Sequence, residues 1–285
     1  MWEIWKILTV ATGVALMSVT MAKAEGERTR ELVRYGDGIQ VDLIAEGKGP
    51  LIVLLPSGNR DSEDFDDFAV RLAKEGFRVL RPQPRGMGQS RGPMQNITMH
   101  DFARDVAAAI ESQKAGAAVV LGHAYGAWIA RMTAADHPKL VRGVILAATS
   151  AKVSPPGLGE AYLVATDPTK PEVDRLKALQ FGFFAPGHDP RPWLTGWHPD
   201  VAAAYSAANR ATRREEWWPG GTAPMLDLQG ELDPWKPRAV MNEIKDEFGD
   251  RITVAVVAGA SHALIPEKPD AVVAEVVKWV RQLPK

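Results

Sequence analysis

Residues 122–126, Gly-His-Ala-Tyr-Gly, have the spacing of a sharp turn that presents one side chain for chemistry. An apolar run, residues 117–121, precedes them, and a helical pattern, residues 127–135, follows. Glycines on both sides of the centre let a strand turn abruptly into a helix and push the central side chain up into a site. The central residue is Ala124, which has no group that can attack a carbonyl carbon. Because the chain contains no cysteine, a thiol nucleophile is also excluded.

Short apolar runs separated by helical patterns must position this turn. Continuous apolar runs of this length are typical of strands that are covered on both faces of a parallel sheet. Between two of them, apolar residues recur on one helix face at positions 65, 68, 69 and 72. The alternation of strands and helices predicts an α/β protein with a mostly parallel, doubly wound sheet. The runs are residues 51–55, 77–80, 117–121, 141–148, 225–228 and 252–257.

Two segments depart from this alternation. Residues 31–35 and 39–45 are joined by Gly-Asp-Gly, which predicts an antiparallel hairpin at the edge of the sheet. Residues 150–222 are rich in proline and tryptophan, with helical pieces and no strand pattern, and are too long for a simple loop. The predicted organisation is therefore a core formed by residues 25–149 and 223–285, with a helical cap inserted after the sixth strand as residues 150–222.

The chain resembles the α/β-hydrolase superfamily over nearly its whole length after residue 24. Residues 85–90 are similar to the family's R-G-x-G-x-S turn. Residues 230–234, Gly-Glu-Leu-Asp-Pro, look like its acid loop, and residues 259–262, Gly-Ala-Ser-His, look like its histidine loop. The order of turn, acid and histidine, each after a strand, supports the resemblance. It implies an α/β-hydrolase fold and hydrolase chemistry, with Ala124 where the family carries its serine nucleophile.

The resemblance also implies a role for each site residue. Asp233 accepts the Nδ1 hydrogen of His262, which fixes the tautomer and leaves Nε2 as a base. Ala124 occupies the nucleophile position and is inert. The backbone amides of Asn59 and Tyr125 are the implied oxyanion donors. This set can activate water without an acyl-enzyme.

The substrate pocket and one serine carry further expectations. Ser57 stands where many family members have histidine, and it is either a relocated nucleophile or a turn serine bonded to local backbone. Aromatic residues of the cap are expected to line an apolar pocket for a small ester, lactone or aromatic compound, while others of the same set form the cap's own core. The predicted substrate-binding residues are Trp193, Trp197, Trp217, Trp218 and Phe183.

Composition excludes several classes of protein. The 285 residues include 34 Lys and Arg against 35 Asp and Glu, a net charge of −1, so the chain lacks the basic excess of a nucleic-acid binder. None of its histidines has the spacing of a metal site. We expect a small-molecule substrate or ligand, no nucleic-acid partner, no metal and no cofactor.

Residues 1–24 are predicted to be a secretory signal peptide. The uncharged run of residues 7–22 follows Lys6 and ends in Ala22-Lys23-Ala24, an A-x-A cleavage pattern. The run is shorter than the roughly 20 residues that a membrane-spanning helix requires. The sequence therefore predicts an exported protein, periplasmic or secreted, with no stable membrane insertion after cleavage.

Three functions are compatible with these residues. The first is a hydrolase in which His262, oriented by Asp233, activates water directly. The second is a cofactor-free lyase or oxygenase of the same fold, in which His262 removes a proton from the substrate. The third is a non-catalytic ligand-binding protein that retains the pocket.

Overall fold

The computed structural model describes residues 27–284, and the predicted signal peptide lies outside the described residues. Within this range eight strands form one sheet in the order β1-β2-β4-β3-β5-β6-β7-β8. The strands are β1 (Thr29–Tyr35), β2 (Ile39–Gly47), β3 (Leu51–Leu55), β4 (Arg78–Pro82), β5 (Ala118–His123), β6 (Val141–Ala147), β7 (Met225–Gly230) and β8 (Ile252–Val257). β2 pairs antiparallel with β1 and β4, and the other neighbours pair parallel.

The strand pattern follows from burial on both faces. In β3, Leu51, Val53 and Leu55 belong to the apolar cluster on one face of the sheet, and Ile52 and Leu54 belong to the cluster on the other. Each such side chain contributes about 1.5–3 kcal/mol on burial. The predicted doubly wound sheet and its N-terminal hairpin are confirmed.

Helices cover both faces and form the cap. The helices are α1 (Asp66–Lys74), α2 (Met99–Ser112), α3 (Tyr125–Asp136), α4 (Leu158–Thr166), α5 (Glu172–Gly182), α6 (Pro199–Ala211), α7 (Arg214–Trp217), α8 (Glu243–Phe248), α9 (Leu264–Glu267) and α10 (Pro269–Gln282). α1 and α10 pack on one face of the sheet, and α2 and α3 pack on the other. No helix within residues 27–284 is long and apolar enough to cross a membrane.

The cap, with α4 to α7, is inserted between β6 and β7, as predicted, and charged side chains hold it to the core. His100 of α2 lies 2.7 Å from Asp136 of α3 through Nδ1 and 2.9 Å from Glu216 of α7 through Nε2. His198, just before α6, lies 3.1 Å from Asp61 through Nε2. Each histidine therefore links a cap helix to the core through a carboxylate.

Candidate active site

The turn at Ala124 joins β5 to α3 with a strained backbone. Ala124 has φ 50° and ψ −111°, a conformation that costs a residue with a Cβ on the order of 1–3 kcal/mol. A Cβ added at Gly122 would lie 2.1 Å from the backbone of Gly126, and one added at Gly126 would lie 2.3 Å from the carbonyl oxygen of Leu55. The glycine spacing is therefore required by close contact between β5, α3 and β3.

His262 and Asp233 form a buried pair on the loops after β8 and β7. Nδ1 of His262 lies 3.0 Å from Oδ2 and 3.2 Å from Oδ1 of Asp233, and each residue is only 3% exposed. Oδ1 also accepts a hydrogen bond from the backbone amide of Trp235 at 2.9 Å. A carboxylate facing Nδ1 places the hydrogen there and leaves Nε2 as the free base.

The backbone around His262 is held on two sides. Nε2 of His123 donates to the carbonyl oxygen of His262 at 2.8 Å, and the amide of Ala263 donates to the carbonyl oxygen of Phe183 at 2.8 Å. Burial, reinforced by the nearby His262, lowers the pKa of His123 to about 3. The His123 ring is therefore neutral near pH 7 and acts as a fixed hydrogen-bond donor that positions His262.

The two predicted oxyanion residues lie at the same cavity. Tyr125 is the first residue of α3, so its amide has no partner within the helix and lies at the positive end of the helix dipole. Asn59 has φ 61° and donates from Nδ2 to the hydroxyl of Tyr162 at 2.8 Å. Its carbonyl oxygen accepts from the amide of His198 at 2.8 Å, so this loop is bonded to the cap at two points.

A cavity of about 360 Å³ connects these groups. It also exposes Ala124 and Ser57, while none of its lining residues is Asp, Glu, Lys or Arg. An enclosed ligand therefore meets aromatic rings, neutral polar groups and the imidazole of His262. The lining residues are Ser57, Gly58, Asn59, Ala124, Tyr125, Trp128, Ser150, Tyr162, Leu163, Phe183, Ala202, Tyr205, Ser206, Asn209, Trp235 and His262.

Of the five cap aromatics predicted to bind substrate, Phe183 alone lines this cavity. Its ring lies 5.6 Å from that of His262. Trp193 and Trp197 do not line the cavity, because their ring faces are occupied by the guanidinium of Arg60, at 4.7 and 4.5 Å from the two ring centres. They form part of the cap's own core.

Trp217 and Trp218 do not line the cavity either. The ring of Trp217 stacks on that of Trp128 at 4.9 Å, and the guanidinium of Arg131 lies 4.3 Å from the ring centre of Trp218. Burial lowers the pKa of Arg131 to about 10, and the rings supply a favourable face for its charge. These two tryptophans therefore pack against the core beneath the cap.

Sequence reasoning missed four aromatic residues of the cavity wall. Trp128 follows Tyr125 by three positions on α3, so helical spacing alone places the two on one face. Trp235 follows Asp233 by two positions, and its ring lies 5.4 Å from that of His262. Tyr162 and Tyr205 come from the cap helices α4 and α6, where no sequence signal singles them out.

Residues 50–269 match the family described as alpha/beta hydrolase fold. The chain is 25% identical over 265 residues to 2-(acetamidomethylene)succinate hydrolase of Mesorhizobium japonicum, covering 85% of this chain and 92% of that protein. The solved structure of E-2-(acetamidomethylene)succinate hydrolase has a TM-score of 0.69 at 23% identity, covering 90% of this chain and 100% of its own. An esterase of Exiguobacterium antarcticum has a TM-score of 0.71 at 22% identity, covering 88% and 99%. These relatives are hydrolases and esterases. The predicted fold class is confirmed, and the chain belongs to the alpha/beta hydrolase fold family.

Proposed function

We propose that the protein hydrolyses a small, uncharged and largely apolar ester or lactone by general-base catalysis, without an acyl-enzyme. The observation that carries the proposal is the buried Asp233–His262 pair, whose histidine lines the same cavity as the inert side chain of Ala124. A histidine oriented by a carboxylate is a competent general base, and general-base catalysis contributes typically 10²–10⁴-fold.

The reaction needs only groups of this chain, water and the substrate. The carbonyl oxygen of the substrate accepts hydrogen bonds from the amides of Asn59 and Tyr125. Nε2 of His262 removes a proton from water as the water oxygen bonds to the carbonyl carbon. The carbon–oxygen bond to the alcohol then breaks, and the imidazolium, stabilised by Asp233, returns its proton to the departing oxygen. The methyl group of Ala124 leaves space for the attacking water.

The substrate class follows from the cavity. Its size, about 360 Å³, suits a small organic molecule, and its wall has no charged side chain apart from His262 when protonated. A carboxylate enclosed there would lose its hydration without gaining an ionic partner, at a cost of several kcal/mol. Neutral acyl groups are therefore favoured over the dicarboxylate type that the name of the Mesorhizobium relative describes.

The proposal includes export. Residues 1–24 have the charge, apolar run and cleavage pattern of a signal peptide. Expression in a bacterial host, with mass determination of the exported form, should give a chain that begins at Glu25. A chain that still begins at residue 1 and is found in the membrane fraction would contradict export with cleavage.

The test of catalysis uses p-nitrophenyl esters from acetate to octanoate and an aliphatic lactone. We expect turnover by the unmodified protein, a loss of about 10²–10⁴-fold in His262→Gln, and no acyl adduct by intact mass spectrometry. Ala124→Ser restores a nucleophile beside His262 and should give a burst and an acyl adduct. Ser57→Ala is the matched control, because Ser57 also lines the cavity and is the alternative nucleophile.

Each alternative predicts a different pattern. Turnover that is lost in Ser57→Ala, with an adduct on Ser57 in the unmodified protein, would assign the nucleophile to Ser57. Turnover only in Ala124→Ser would leave the natural chain as a ligand-binding protein. Oxygen uptake or retro-addition products without ester cleavage would indicate the lyase or oxygenase reaction.

A further inference from the structure

The hydroxyl of Tyr162 lies where the cap meets the loop that carries Asn59. It accepts a hydrogen bond from Nδ2 of Asn59 at 2.8 Å. It is also 3.7 Å from the point where a Cβ on Gly58 would stand, so it lies directly against this loop. Tyr162 lines the same cavity as Ala124 and His262. A cap side chain therefore places a polar atom beside the predicted oxyanion donors.

The hydrogen of this hydroxyl is available for donation. A tyrosine hydroxyl carries one hydrogen, and the bond from Asn59 uses a lone pair of the oxygen. Within residues 27–284 this hydrogen has no hydrogen-bond acceptor. Burial raises the pKa of Tyr162 to about 12, although the bond from Asn59 lowers it, so the group stays protonated across the working pH range.

We propose that the hydroxyl of Tyr162 is a third oxyanion donor, supplied by the cap, which contacts the carbonyl oxygen of the substrate beside the amides of Asn59 and Tyr125. The inference rests on the proposed function and makes Tyr162 a catalytic residue of that reaction. Asn59 then has two roles, since its amide faces the oxyanion and its side chain orients the Tyr162 hydroxyl. The catalytic site is complete only when the cap is closed over the core.

Tyr162→Phe tests the donor with minimal change in volume. Loss of one oxyanion donor costs about 10²–10³-fold in kcat, so we expect a fall of about 10²-fold with KM within about threefold. The oxyanion forms before the leaving group departs, so the loss should be similar for p-nitrophenyl and ethyl esters of one acid. A loss confined to ethyl esters would assign Tyr162 to the leaving group and overturn the proposal.

Asn59→Gly tests whether Asn59 acts through Tyr162. Glycine accepts the positive φ and keeps the backbone amide but removes the side chain that holds the hydroxyl. We expect a smaller fall in kcat than in Tyr162→Phe, and no further fall when both changes are combined. Additive losses in the double variant would contradict the orienting role.

Tyr205→Phe is a comparison from the same cavity. Its hydroxyl already donates to the carbonyl oxygen of Arg85 at 2.7 Å, so its loss should lower the melting temperature. It should lower kcat by much less than Tyr162→Phe. An equal fall in kcat in both variants would show a general effect on cap packing and overturn the specific role of Tyr162.

Binding of a tetrahedral anion separates this inference from the proposed function. Ethyl phenylphosphonate carries the charge and shape of the ester intermediate, and calorimetry should show at least tenfold weaker binding to Tyr162→Phe than to the unmodified protein. Weaker binding to Tyr162→Phe, in a protein that shows no turnover, would refute the hydrolase proposal and still support Tyr162 as a donor to the anion. If both proteins bind the phosphonate with equal affinity, or neither binds it, the donor role of Tyr162 is wrong, even when turnover depends on His262.

Discussion

A buried ion pair anchors the loop that carries Asp233. Nζ of Lys236 lies 2.6 Å from Oδ2 of Asp227 on β7, and both side chains have 0% exposure. The same carboxylate oxygen accepts from Nε2 of Gln229 at 2.8 Å. The amide of Lys236 donates to the carbonyl oxygen of Asp233 at 3.3 Å. Lys236 therefore connects the loop of Asp233 to the buried strand β7.

Lys236→Met should strongly destabilise the protein. Removing one partner of a buried pair leaves an uncompensated charge and costs about 3–5 kcal/mol. For a chain of this size each kcal/mol lowers the melting temperature by about 2–4 °C, so the expected shift is about 6–20 °C. Asp227→Leu combined with Lys236→Met replaces the pair by apolar groups and should recover most of that loss.

The loss of unfolding free energy in Lys236→Met, its stability deficit, should depend on pH in a defined direction. Burial raises the pKa of Asp227 even though Lys236 lowers it, and removing Lys236 leaves the raising effect unopposed by this cation. When the pKa of a carboxyl is higher in the folded than in the unfolded protein, folding is not penalised below the unfolded-state pKa of about 3.9. The free energy of unfolding then falls as the pH rises through the folded-state pKa. The deficit should therefore be smaller at pH 5 than at pH 8.

Urea unfolding at 25 °C, followed by tryptophan fluorescence, measures both the loss of stability and its pH dependence. The unmodified protein, the single variant and the double variant are compared at pH 5 and pH 8. A deficit below about 1 kcal/mol, a deficit that grows on acidification, or a double variant as unstable as the single one would refute the reasoning.

Three further predictions follow from single positions. Ala124→Gly relieves a strained backbone at the cost of glycine's extra unfolded-state entropy, and calorimetry should show a net gain of about 1 kcal/mol. Gly126→Ala brings a Cβ to 2.3 Å from the carbonyl oxygen of Leu55, so urea unfolding should show a loss of at least about 1–3 kcal/mol. Partial burial lowers the pKa of His100, but the hydrogen bonds that its ring donates to two carboxylate partners outweigh this and raise it. Its stabilising contribution is therefore full below pH about 6.5 and lost as the pH rises through the raised value, so His100→Gln should lower the melting temperature more at pH 6 than at pH 9.

Each of these predictions has a clear contrary result. Ala124→Ser keeps the Cβ and is the stability control for Ala124→Gly, and an equal change in both would remove backbone strain as the cause. An unchanged midpoint for Gly126→Ala would show that the contact with Leu55 relaxes freely. A deficit of His100→Gln that grows toward pH 9 would contradict the raised pKa.

The sequence predicted those parts of the site that strand ends determine. The predicted strands at residues 51–55 and 252–257 have the bounds that the structure shows. β3 is buried throughout, as a continuous apolar run predicts, whereas β8 is the edge strand and Val256 is 42% exposed. Asp233 and His262 follow such strands within a few residues, so sheet topology alone brings them together. Their pairing at 3.0 Å agrees with the predicted orientation of the imidazole.

The sequence did not determine which cap aromatics face the substrate. Trp193 and Trp197 are near Phe183 in the sequence and equally apolar, yet their faces hold the guanidinium of Arg60. That contact joins residues more than a hundred positions apart and depends on how the cap docks on the core. Composition shows only that aromatic surface is present in the cap, because its direction is set by tertiary contacts.

The strained turn at Ala124 has a consequence that does not depend on its side chain. Gly122 and Gly126 are in close contact, and Gly126 also lies against Leu55, so packing between strands and helix enforces the turn whatever residue stands at its centre. The same turn starts α3 at Tyr125, which lines the cavity and whose amide has no partner within the helix. A chain with alanine at the nucleophile position can therefore keep the free amide of Tyr125 and the Asp233–His262 pair, which is why the proposed water activation by His262 is compatible with this fold.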